Sequence, residues 1–285
     1  MTDTNESDNE NVLVFKPKVI ILCFEGVVVD NKVDQRYIEP YIRDNMLNYL
    51  TEHKNDNQIN QIIANLRQRS NYDRADYGYS ECPVVVDELP EHTTEQILES
   101  VVTYIDWQTN NHRVSNDALR LQKLVCLDGL EKNRIKLKVY SDVVPALKRF
   151  RDKLSDIKIA LLSAYDETTI RRLLPSNDDI FQYIDRIFDE QIGSSAKVDT
   201  FDRIVKALDV RHREEVLYVT GSGRSAVCAR NRQSERVDLQ NEIKCLLMIR
   251  DTSFKIRDYY LINFTTITSL MDIDFQQQQQ NGNAF

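Results

Sequence analysis

Val19-Ile20-Ile21-Leu22-Cys23-Phe24-Glu25-Gly26-Val27-Val28-Val29-Asp30 is the stretch that decides the fold. An apolar, β-branched run leads into a short break carrying one acid and one glycine. Such a run reads as a central strand buried on both faces and closed by a turn. In open α/β sheets, functional groups sit just past the carboxyl ends of strands like this one, so position 23 is where chemistry would be mounted. A cysteine stands there. The competing reading is a plain core strand whose Cys23 is a small buried hydrophobe, the commoner fate of a free cysteine.

On either side of this strand the patterning changes. Residues 1–12 are polar, acidic and free of aromatics, and they bury too little to offset the entropy of ordering, so they read as a disordered tail. After Asp30, the residues Tyr37, Ile38, Tyr41, Ile42, Leu47 and Leu50 recur at helical spacing. A weaker helix is expected around Ile59–Leu66, then a long loop through Tyr77, Pro83 and Pro90. Thr93-x-x-Gln96 forms a capping box ahead of Ile97, Leu98, Val101, Val102 and Ile105, and Trp107 ends that face as a core anchor. A further helix covers roughly residues 115–132.

Asp142 is placed to cap a helix whose apolar face is Val144, Leu147, Phe150 and Leu154. Strands are expected at Ile157–Leu162, Ile184–Phe188, Val216–Thr220, Ile243–Ile249 and Tyr260–Phe264, with helices from Glu167 and around Phe201–Leu208 between them. Strands alternating with helices at this spacing imply a parallel sheet covered on both faces, hence an α/β fold. The final segment, 276–285, begins with five glutamines and reads as a low-complexity tail.

Composition removes several function classes. A formal net charge of −8 argues against nucleic acid or an anionic membrane as partner. The five cysteines, Cys23, Cys82, Cys126, Cys228 and Cys245, are scattered without a C-x-x-C pair, which suggests neither a zinc site nor a disulfide framework. None begins the C-x5-R spacing of cysteine-dependent phosphatases, so Cys23 is not read as a phosphate-attacking thiolate. Without a signal-like N-terminus or a membrane-spanning run, the expected place is the cytoplasm, with the nucleus left open.

The opening stretch resembles the first motif of the haloacid dehalogenase-like hydrolases. More narrowly, it resembles the enolase-phosphatase (acireductone synthase) branch, whose loop reads Asp-Ile-Glu-Gly-Thr-Thr where this chain has Cys23-Phe24-Glu25-Gly26-Val27-Val28. Pro40-Tyr41-Ile42 followed by Asn45, and Asp142-Val143-Val144-Pro145, are similar to further stretches of that family, and the likeness covers roughly residues 18–270. The resemblance implies a haloacid dehalogenase-like, Rossmann-type parallel sheet with an inserted helical cap. Residues 13–30 and 141–275 would form the core and 31–140 the cap.

It also implies a reaction: a carboxylate attacks phosphorus, Mg²⁺ neutralises the phosphate, a Lys bridges them and a Ser or Thr holds a phosphate oxygen. Cys23 stands at the nucleophile position, where a thiol cannot form an acyl-phosphate and is a poor ligand for a hard cation. The hydroxyl position is Ser163, or Ala164 in a register shifted by one. Counted from Ile192-Gly193, the Lys position falls on Ser195; Lys197 lies two residues on and would serve only through a local shift of the loop. The metal carboxylate after the fourth strand is replaced by Gly221, within Thr220-Gly221-Ser222. Glu25, the family's acid position, remains, with a hydrogen-bonded loop carboxylate as its simpler reading.

Ser222, Gly223 and Arg224 offer a second possibility together with Ser163. A Gly-x-Gly turn opening a helix can present amides to an anion, although the same turn is common after strands with no ligand at all. The expectation is a catalytically degenerate enolase-phosphatase-like protein with no cofactor. It would bind or regulate, with a protein or a small phosphorylated metabolite as partner. The alternative is an active acireductone synthase of methionine salvage, hydrolysing 2,3-diketo-5-methylthiopentyl-1-phosphate with Mg²⁺.

Overall fold

The computed structural model describes residues 12–75, 81–174, 179–189, 200–230, 242–250 and 257–276. The chain divides into two compact units, one of residues 34–136 and one built from the segments on either side. Both expected tails, apart from Val12 and Gln276, lie outside the described residues, as do Ser195 and Lys197.

The unit of residues 34–136 is helical. Its helices are α1 (Glu39–Glu52), α2 (Asn57–Ala75), α3 (Thr94–Asn110) and α4 (Asn116–Glu131). Thr93 accepts a hydrogen bond from the Gln96 amide at 3.2 Å and its own amide donates to the Gln96 side chain at 2.9 Å, so the capping box forms as its sequence implies. Leu50, Ile62, Leu66, Leu98, Val101, Tyr104 and Leu121 fill one core, and Trp107 stacks on Tyr104 with ring centroids 6.1 Å apart. Buried beside them, Asp73 accepts from the Tyr104 hydroxyl at 2.7 Å and pairs with Arg69 at 3.1 Å.

The other unit carries a sheet of six parallel strands. A short pair, β1 (Val12–Val14) with β8 (Ile273–Phe275), lies outside it. The main strands are β2 (Val19–Cys23), β3 (Lys158–Leu162), β4 (Arg186–Phe188), β5 (Val216–Thr220), β6 (Lys244–Met248) and β7 (Thr265–Ile267). They run in the order β4-β3-β2-β5-β6-β7. β2 lies in the middle, and Val19, Ile20, Ile21 and Leu22 have no exposed surface, as a continuous apolar run predicts for a strand covered on both sides. Burying each of these side chains contributes about 1.5–3 kcal/mol. Helices α5 (Val143–Lys153), α6 (Glu167–Leu173), α7 (Thr200–Ala207), α8 (Gly223–Arg230) and α9 (Asp258–Asn263) alternate with the strands.

Two local expectations are corrected. Tyr260–Phe264 is not a strand: residues 258–263 form α9, and the strand moves on to β7. The aromatic and β-branched density of Tyr259-Tyr260-Leu261-Ile262-Asn263-Phe264 favours a strand. Instead, Tyr260 and Phe264, four residues apart, pack on the core, while Tyr259 and Ile262 stay 60% and 82% exposed. Asp142 makes no capping bond to α5. Its carboxylate turns to the far end of the chain, where it accepts from the Ser269 hydroxyl at 2.8 Å and the Leu270 amide at 2.7 Å, and it pairs with Arg250 at 2.8 Å.

Candidate functional site

The carboxyl ends of β2, β3 and β5 meet at one end of the sheet, and the loops that leave them are held by main-chain contacts. The Phe24 amide continues the ladder to the Leu162 carbonyl at 2.8 Å. Its carbonyl then accepts from the amides of Val28 at 3.1 Å and Val29 at 3.0 Å, and the Gly26 amide donates to the Val29 carbonyl at 2.8 Å. This tight turn puts Gly26 at φ +84°, a conformation that glycine adopts without the steric penalty of a side chain.

Gly221, just past β5, packs against this turn. A Cβ on Gly221 would lie 3.2 Å from the Gly26 carbonyl oxygen and 3.3 Å from the Gly26 Cα. The two glycine-bearing turns thus approach backbone to backbone, and any side chain at 221 requires the Gly26 peptide to yield by a few tenths of an ångström.

Glu25 projects toward β3. Its Oε1 accepts from the Ser163 hydroxyl at 2.7 Å and lies 3.4 Å from the donating Ala164 amide. Ser163 is itself fixed. Its amide donates to the Phe188 carbonyl at 3.0 Å, and its Oγ accepts from the Tyr165 amide at 3.0 Å. The hydroxyl of position 163 is therefore bound to Glu25, with the amide of 164 on the same carboxylate oxygen.

Cys23 pairs in register with Leu162 on one side, and on the other it follows Ile21, which pairs with Tyr218. In parallel strands side chains two apart share a face, so Cys23 comes beside Thr220. Although part of the residue reaches solvent, burial pushes the Cys23 thiol up to about 12, and the Glu25 carboxylate pushes in the same direction. The neighbouring Thr220 and Tyr218 hydroxyls offset this only in part. At neutral pH the group is a protonated thiol rather than a nucleophilic thiolate.

Tyr218 is the neighbour that residue patterning alone did not single out. It is wholly buried, and its hydroxyl pKa is raised, first by burial and then by Cys23. Alternation along Val216–Thr220 was the available signal, because it puts Tyr218 and Thr220 on the Cys23 face once the β2–β5 register is known.

The turn after β5 is built for packing. The Ser222 amide donates to Thr220 Oγ1 at 3.1 Å, and Ser222 Oγ accepts from the Ser225 amide at 3.3 Å, at the start of α8. A Cβ on Gly223 would lie 2.4 Å from Cγ of Tyr260, so glycine here makes room for an aromatic ring. Arg224 is exposed. Cys23, Glu25, Ser163 and Gly221 are thus brought together, with Ser222, Gly223 and Arg224 following directly on Gly221. Ser195 and Lys197 lie outside the described residues. Among the described residues, no group of three or more His, Cys, Asp or Glu side chains is disposed to hold a metal ion, and no helix is long and apolar enough to cross a membrane.

No protein-family model matches the chain. Among curated proteins, it is 23% identical over 261 residues to enolase-phosphatase E1 of Xenopus tropicalis, covering 92% of this chain and 96% of that protein. It is 24% identical over 263 residues to enolase-phosphatase E1 of Aedes aegypti, again over 92% of this chain but only 22% of that longer protein. Among solved structures, the UTR4 protein of Saccharomyces cerevisiae superposes with a TM-score of 0.57 at 16% identity, over 89% of this chain and 98% of that one.

Proposed function

From a chain that is enolase-phosphatase-like in sequence and haloacid dehalogenase-like in fold, we propose a binding or regulatory protein that has given up phosphomonoester hydrolysis. One observation carries the reading. Where β2 and β5 end side by side, the two positions at which the resemblance calls for carboxylates hold a protonated thiol, Cys23, and a glycine, Gly221, whose Cα lies against the Gly26 backbone.

These groups do not suit Mg²⁺. A hard divalent cation takes oxygen ligands, with carboxylates supplying most of the opposing charge. A thiol above its ordinary pKa offers neither hardness nor charge, and Gly221 offers no side chain. Glu25 remains, but its Oε1 accepts from Ser163 and Ala164. With neither nucleophile nor metal ligand at those positions, the end of the sheet retains the shape of a phosphatase site without the groups that transfer phosphate. The reading includes no bound cofactor and leaves a protein or a small phosphorylated metabolite as the partner.

The test is direct. Purified full-length protein is assayed with Mg²⁺ against p-nitrophenyl phosphate and against 2,3-diketo-5-methylthiopentyl-1-phosphate. The expected result is no turnover above a no-enzyme blank. Turnover within a hundredfold of ordinary enzyme rates, about 10 per second, overturns the proposal and restores the acireductone synthase alternative.

A further inference from the structure

The helical unit carries a cavity of about 580 Å³ between α1, α3 and the start of α4. On α1 the lining positions 39, 42, 43 and 46, and on α3 the positions 102, 105, 106 and 109, each follow the spacing i, i+3, i+4, i+7. Residues so spaced lie along one face of a helix, so two matched stripes form the walls of one groove. Its apolar lining includes Ile42, Met46 and Ile105. Leu119, 52% exposed, also lines it.

The charges around this groove are unbalanced. Glu39 and Asp106 both line it, and neither makes a hydrogen bond or a close ion pair among the described residues. Arg43, the cation in the lining, is in contact with Asp44 at 3.4 Å. Asp106, like Glu39 and Arg43, is exposed; partial desolvation still raises its carboxyl pKa, and Arg43 is near enough to counter this in part. The charged groups therefore cluster at Arg43, with two acids in the lining to one base.

We propose that this groove binds a small amphipathic cation, a molecule with an apolar body about 10 Å long and one ammonium or amidinium group. The size follows from the walls, since a stripe from i to i+7 spans about 10 Å at 1.5 Å per residue. A cavity of about 580 Å³ lies within the range of small-molecule sites, which are mostly apolar with a few polar groups that fix orientation. A docked helix needs a longer trough than two turns. The sign follows from the carboxylates. An ammonium gains from both Glu39 and Asp106, whereas an anion meets two like charges and one arginine already in contact with Asp44. The apolar body covers Ile42, Ile105 and Leu119.

The proposal is independent of the phosphatase-like site, and its test reads binding rather than turnover. Isothermal titration of the full-length chain uses three probes of one shape: 4-phenylbutylammonium, 4-phenylbutanol and 4-phenylbutyrate. The ammonium should bind at least about tenfold more tightly than the alcohol, a difference of about 1.4 kcal/mol, and the carboxylate most weakly. Asp106→Asn should reduce the ammonium preference to within about threefold while leaving the alcohol unchanged, and Arg43→Ala should tighten the ammonium by about threefold. Methyl resonances of Ile42, Ile105 and Leu119 should move on binding. Equal affinity for the three probes, no saturation by millimolar ammonium, or a preference that survives Asp106→Asn overturns the proposal. So does binding of a basic amphipathic peptide in the absence of small-cation binding, which would assign the groove to a protein.

Discussion

Replacing Asp142 by Asn should be among the most damaging single changes to the sheet-bearing unit. Asp142 and Arg250 form a pair whose side chains are only 15% and 10% exposed, with an N–O distance of 2.8 Å. The carboxylate also accepts from Ser269 and Leu270, and the guanidinium donates to the Val27 carbonyl at 2.9 Å and lies 4.4 Å from the centre of the Tyr140 ring. Breaking such a pair from one side leaves a charge poorly compensated and typically costs 3–5 kcal/mol. Arg250 retains its carbonyl partners and the Tyr140 face, so the expected loss is about 3 kcal/mol, at the lower end of that range.

The pH dependence gives a second, sharper readout. Burial acts to raise the pKa of Asp142, but the hydrogen bond and charge of Arg250 outweigh it, together with the donors Leu270 and Ser269, and the net shift is downward. A carboxyl depressed in the folded state contributes stability that is complete above its unfolded pKa, about 4, and is lost as pH falls through the lower folded value. Urea unfolding followed by far-UV circular dichroism should therefore show the full difference between wild type and Asp142→Asn at pH 7, shrinking below about pH 4. Fluorescence of Trp107, the chain's one tryptophan, reports the helical unit separately. A loss under about 1 kcal/mol at pH 7, or a difference that stays constant from pH 7 to pH 3, refutes the reasoning.

Two other outcomes follow from the site. Gly223→Ala should cost about 1–3 kcal/mol, because its Cβ would lie 2.4 Å from the Tyr260 ring, and Tyr260→Ala in the same chain should remove most of that penalty; additive effects would show that the ring does not set the cost. With its pKa pushed up to about 12, Cys23 should hold roughly one thiolate in 10⁴ at pH 8, so native-state alkylation read by peptide mass spectrometry should leave it unmodified, and labelling within minutes would contradict the raised pKa.

What was legible in the sequence was whatever is written in adjacent residues. The apolar runs of β2, β3 and β5 mark buried strands because a strand covered on both faces admits few polar side chains, and Thr93 with Gln96 marks a helix start because capping is a local contact. What was hidden depends on partners distant in sequence. Asp142 has the local look of a cap, yet its hydrogen-bond partner Ser269 lies 127 residues away. In α9 the choice between helix and strand turned on which two aromatics the core received, which no local pattern states. At the site, Cys23, Glu25 and Gly221 stand out against the motifs of the family the chain resembles, but Tyr218 becomes a neighbour of Cys23 only through the β2–β5 register.

That division also bears on how a site could lose its reaction and keep its shape. The contacts that bring the ends of β2, β3 and β5 together run mostly through the backbone: Phe24 to Leu162, Gly26 to Val29, Ser163 to Phe188, and the close approach of Gly26 to Gly221. Arg250 adds a side-chain strut, but its grip on the turn is again a main-chain carbonyl, that of Val27. On the reading proposed above, exchanging carboxylates at 23 and 221 for a thiol and a glycine removes charge while these main-chain contacts remain. Such an exchange also relieves a cost, because clustered carboxylates repel one another until a cation arrives. Gly221 has a further effect: with no side chain, it lets the two turns close to backbone contact, so an aspartate placed there would require the Gly26 peptide to shift. On this reading, selection for the fold alone preserves everything the main chain holds, and that is the part of the site still recognisable here.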